Sequence, residues 1–60
     1  MTRAELKEID KMIEGIEKRA KGLIEKGQGI QAIERNAARI LASTKMLKIN
    51  VSDLTSCFHP

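Results

Sequence analysis

The chain is poor in the residue types that most often carry chemistry. It holds one cysteine, Cys57, so no disulfide can close within the chain. A lone thiol suits a reducing compartment. Tryptophan and tyrosine are absent and Phe58 is the single aromatic residue. That removes the stacking platform on which single-stranded nucleic acid is held. It also removes the aromatic solutions to nucleotide and sugar binding. No cysteine or histidine cluster has the spacing of a structural zinc site, and no cofactor or resident metal is expected. No apolar run approaches the roughly 18 residues of a membrane span. The segment from Met1 to Glu8 is charged throughout and has no apolar core of a signal peptide. These absences together point to the cytoplasm, with no membrane partner.

Catalytic chemistry has equally little to stand on. The one histidine, His59, is next to Pro60, and Cys57 has no partner at a defined spacing. The carboxylates of the first half fall on a solvated face. General acid–base and nucleophilic work both need positioned, perturbed groups. No catalytic residue is assigned, the chain is not expected to be an enzyme, and no small-molecule substrate is expected. Cys57-x-His59 is at most half a metal site, which only symmetry copies could complete.

What is present is a ladder. Ile30, Ile33, Ala37, Ile40, Thr44, Leu47, Val51 and Leu54 alternate spacings of three and four. A helix with that pattern carries one continuous apolar seam. A matching seam runs earlier through Leu6, Ile9, Ile13, Ile16, Ala20 and Leu23. Gly27-Gln28-Gly29 lies between them, a connection of usual length for two antiparallel helices. The expected fold is all-α: a single domain over residues 1–60, made of a two-helix antiparallel hairpin that dimerises into a four-helix bundle. Sixty residues in two helices cover each other along only one stripe. With neither disulfide nor metal, oligomerisation is the remaining staple.

In chain order, Thr2 and Glu5 form a capping box. The first helix is expected from about residue 3 to 26, roughly 36 Å long at 1.5 Å per residue. Glu14–Lys18 and Glu17–Lys21 are favourable pairs one turn apart. Gly15 and Gly22 sit one heptad apart, off the seam. They mark either a close helix approach or simple tolerance, each costing about 1 kcal/mol against alanine. Gly27 suits a left-handed helix cap, and Lys26 complements the helix dipole. A phosphate-cradling loop is excluded by the missing strand and the missing glycine-lysine ending. The second helix is expected from about 30 to 50, with a short tail over 51–60. Asn50 and Asp53 resemble a cap that would start a new turn; alternatively the helix runs on. Phe58 continues the Leu54 face and could pack back on the bundle.

The second helix has a wider apolar arc than one partner can cover. Besides its seam it carries Ala38, Ala42, Met46 and Ile49, with Leu41 between. The expected oligomer interface is therefore Ile33, Ala37, Ala38, Ile40, Leu41, Ala42, Met46, Leu47 and Ile49, in a homodimer or tetramer. Thr44, the polar residue of the seam, is expected to bond back to the carbonyl four residues earlier. Register selection is the other role open to it. The net charge is +3, and after Glu34 no acid appears until Asp53. Arg35, Arg39, Lys45 and Lys48 are the candidate contacts to nucleic acid, the alternative being cations favoured near a helix end.

Ile13-Glu14-Gly15, then Leu23-Ile24-Glu25, the glycine turn and a long helix from Ile30 give the chain a further likeness. In order and spacing this resembles the first two helices of the copper-, metal- and formaldehyde-sensing bacterial repressors, over about Leu6 to Leu47. The resemblance implies a hairpin that pairs into a four-helix bundle and binds DNA without a helix-turn-helix. The sensing ligands do not carry over. Ile30 stands where that family has its first cysteine, Thr55 and His59 lie near the positions of its later ligands, and Cys57 is out of step. Two functions are thus expected. The first is a small non-enzymatic oligomerising hairpin acting through protein–protein contact. The alternative is a small nucleic-acid-binding transcriptional regulator resembling those repressors without their metal site.

Overall fold

The computed structural model describes residues 1–56 and forms an antiparallel hairpin. Its helices are α1, Arg3–Lys26, and α2, Gln31–Ser56, and no strand occurs among the described residues. The Cys57–His59 pair and the packing of Phe58 lie outside the described residues.

The start of α1 follows its cap. Thr2 is extended, and its hydroxyl oxygen accepts the Glu5 N–H at 3.1 Å. The same hydroxyl donates to the Glu5 carboxylate at 3.3 Å. The helix ends at Gly27, whose N–H donates to the Leu23 carbonyl at 2.7 Å.

The left-handed residue is not Gly27, as its place after the seam implies, but Gly29. Gly27 has φ −89°, whereas Gly29 has φ +91°. Gly27 is required for a different reason. A Cβ there would overlap Ile33 Cγ2 and sit 2.7 Å from the Leu23 carbonyl oxygen. The two glycines divide the turn between them: one admits a close crossing, the other reverses the chain.

α2 starts without a side-chain cap of the usual type. The Ile30 carbonyl accepts from Ile33 and Glu34 at 3.1 and 3.0 Å, so Ile30 is the flanking residue rather than the first helical one. Glu34 reaches back instead, its carboxylate accepting the Gly29 N–H at 2.8 Å. That bond satisfies an orphan donor and places negative charge at the positive end of α2.

At its far end α2 passes the boundary expected near residue 50 and follows the alternative in which the helix runs on. No break or new cap forms at Asn50–Asp53, and the helix continues to Ser56. Val51 explains this. It is buried in one cluster with Leu6 and Ile13, with Ile9 packed against it. Burial of that side chain offsets the weak helix propensity of Asn50, Ser52 and Asp53.

The turn sets the register. Counting outward from it, Ala20 comes level with Ala37, Ile13 with Thr44, and Leu6 with Val51. All six are buried. The layers taper: alanines near the turn let the helices approach, and larger aliphatics fill the open end. The Thr44 hydroxyl donates to the Ile40 carbonyl at 2.6 Å, so the buried polar atom is satisfied within its own helix. The Cα trace measures 49 × 15 × 13 Å, a rod only two helices across.

Candidate interaction faces

Each seam splits in two when the helices pair. The residues that meet across the hairpin recur every seven: Leu6, Ile13 and Ala20 on α1, and Ala37, Thr44 and Val51 on α2. The intervening seam residues lie to one side of that contact. Ile16, Leu23, Ile33, Ile40, Leu47 and Leu54 are each 37–50% exposed. Ile9, half-buried, begins the row on α1. Helical periodicity places all of these on the same side of the rod. A groove lined by Leu23, Ala32, Ile33, Asn36, Ala37 and Ile40 marks where the two rows meet near the turn.

The opposite side of the rod is built differently. Lys48 Nζ reaches across to Glu14 Oε1 at 3.5 Å. Leu6, Lys7, Asp10, Lys11, Glu14, Val51 and Ser52 line a cleft there. Glu17 pairs with Lys21 one turn along α1 at 3.7 Å. Glu14, expected to pair with Lys18, serves the inter-helix contact instead. One side of the hairpin is thus aliphatic and the other charged.

Of the residues expected at the oligomer interface, one is buried inside the hairpin and the others fall on three surfaces. Ala37 is buried between α1 and α2 within a single chain, so it is not open to a second one. Ile33, Ile40 and Leu47 belong to the aliphatic side. Ala38, Ala42, Met46 and Ile49 lie on the outer side of α2, away from α1, with Met46 and Ile49 more than half exposed. Leu41 is half-buried on the charged side.

The four candidate nucleic-acid contacts do not form one patch. Arg35 and Arg39 stand one turn apart on the outer side of α2. Lys45 lies toward its edge, and Lys48 is engaged by Glu14. The ladders imply that Ile16, Leu23 and Leu54 lie inside the hairpin seam, whereas they are on the open side; Ile9 does pack against the buried cluster. The spacing alone does not mark this division: in this hairpin the partner helix covers one row of each ladder and leaves the other 37–50% exposed.

No family model, characterised protein or solved structure matches this chain. No helix among the described residues is long and apolar enough to cross a membrane.

Proposed function

We propose that this chain is a self-associating helical hairpin whose aliphatic side pairs with the same side of a second copy, closing a four-helix bundle that acts through protein–protein contact rather than catalysis. The observation that carries this is the row of six large aliphatics on one side, contributed by both helices at heptad spacing and left 37–50% exposed. A contiguous apolar surface of this kind marks an interaction site. Covering the remaining half of an isoleucine or leucine side chain contributes about 1 kcal/mol.

The rims of the face support self-pairing. On α1 they carry Glu5 toward one end and Arg19 and Lys26 toward the other. An antiparallel two-fold pairing of α1 on α1 sets the Glu5 end of each copy beside the Lys26 end of its mate. On α2 the rim is Asn36, Ser43 and Asn50, small and uncharged, which opposes nothing.

Light scattering coupled to size exclusion tests the proposal. The expected mass is that of a dimer or a higher even assembly, and Ile40→Glu or Ile16→Glu should reduce it to that of a monomer. A well-folded helical monomer at about 10 μM, where a micromolar association is largely complete, would overturn it.

The alternative is a nucleic-acid-binding regulator akin to the metal-sensing repressors. It draws on Arg35 and Arg39, which share the outer side of α2 and would occur twice in a dimer. Binding through them would weaken steeply with added salt. The arrangement favours it less, because Lys48 is turned to Glu14 and Met46 and Ile49 are set among the cations.

A further inference from the structure

The outer side of α2 stays open when both α1 and the aliphatic side are covered. It carries Ala38, Ala42, Met46 and Ile49 in a strip at helical spacing, all exposed. Arg35 stands at one end of the strip, and Arg39 and Lys45 stand on its two edges. No acidic residue occurs between Glu34 and Asp53. Heptad spacing sets Arg35, Ala42 and Ile49 along the centre, Ala38 and Lys45 on one edge, and Arg39, Met46 and Asp53 on the other, so the surface mixes apolar and cationic groups and its one acid, Asp53, stands at the far end beside Lys45 and Ile49.

We infer that this strip is a docking site for an acidic amphipathic helix of another protein. Charge decides among the occupants. A second copy of the strip would bring two sets of Arg35, Arg39 and Lys45 together, and like charges across an interface oppose association. Phosphates of a duplex would meet the cations but leave Met46 and Ile49 uncovered. A membrane surface calls for long apolar or aromatic side chains to insert. Half of this strip is alanine. Ala38 and Ala42, one turn apart, instead let a second helix axis come close, and interaxial distance is set by the side chains at the crossing. An apolar helix face with carboxylates along its edges meets both requirements, the helix-in-groove mode of peptide recognition. The site uses none of the residues of the self-pairing face and stands independently of it.

The test uses the full chain and four probes: a synthetic helical peptide with leucines on one face and glutamates along its edges, a scrambled peptide of the same composition, a mixed-sequence DNA duplex, and phosphatidylserine-containing vesicles. The amphipathic peptide should bind and shift the amide resonances of Ala38 to Ile49. Arg39→Glu and Met46→Glu should each weaken it about tenfold, as loss of an anchoring contact does, while mass and helicity stay unchanged. Ala42→Gln blocks the close approach without adding charge and with little loss of helix propensity, and it carries the same test if Met46→Glu loses helicity. Equal binding of the scrambled peptide would overturn the proposal, as would binding of the duplex or vesicles in place of the peptide. So would resonance shifts centred on Ile16 and Ile40, or a fall in self-association mass on Met46→Glu.

Discussion

The glycines show how much a single residue can carry in a chain this short. Gly27 and Gly22 are both glycine, yet their surroundings are opposite. At Gly27 a methyl group would strike Ile33 and the Leu23 carbonyl, so Gly27→Ala should cost about 1–3 kcal/mol, as overpacking does. At Gly22 nothing lies within 4 Å of the added carbon, so Gly22→Ala should stabilise by about 0.5–1 kcal/mol through helix propensity. Thermal unfolding of the two variants measures both. Gly22 also decides between the two roles open to the glycine pair. If the outer face of α1 were a close helix contact, Gly22→Ala would reduce the assembled mass. The open space around it leads us to expect no change. Thr44 makes a similar point in the core. Its hydroxyl is satisfied only by its own helix, at Ile40. Thr44→Val should then raise stability by about 0.5–1 kcal/mol, since the back-bond adds little and the methyl packs better. A variant that becomes more stable but populates several masses would assign Thr44 to register selection instead.

At the scale of the helices, α1 was legible almost throughout, because its signals are local. Thr2 and Glu5 act within a turn of themselves and fix its start, whereas Gly27 ends it through its fit against Ile33 rather than as a left-handed cap. The end of α2 was not legible, because what holds it is remote in sequence. Asn50, Ser52 and Asp53 read as a breaker cluster, and Val51 overrides them only by packing against Leu6 and Ile13 from the other end of the chain. Val51→Ala should therefore cost about 2 kcal/mol and speed amide exchange over the last turns of α2. Lys48→Ala, which removes a half-exposed ion pair in the same region, should cost under about 0.5 kcal/mol. If the order of these two effects were reversed, the charged side rather than the Val51 cluster would hold the helix end. The role of Glu34 was also hidden, since a carboxylate that reaches back to Gly29 belongs to no standard cap pattern. The heptad ladders were plain in the sequence. Their division into a buried and an open row was not, because it depends on which side of the contact each residue takes once two helices meet.

For the whole molecule, the division of apolar residues is decisive. Among the described residues, the buried side chains of one hairpin are Leu6, Ile13, Val51, two alanines and Thr44, while a longer row of leucines and isoleucines lies half open beside them. In this rod, two helices across, the second row of each seam is left largely at the surface. Under the proposed self-pairing, the fold of one chain and its association are parts of one equilibrium, and the melting temperature should depend on concentration. A dimer that unfolds to separated chains, with an enthalpy near 0.7 kcal/mol per residue over two copies, should gain roughly 5–10 °C in Tm for a tenfold rise in concentration. Circular dichroism over such a series measures this directly. Leu47→Glu, which puts a charge in the middle of the open row, should abolish the concentration dependence along with most of the helicity. A Tm that stays constant across the series would show the hairpin holding by its own small core. The aliphatic side would then have to serve a partner other than its own copy.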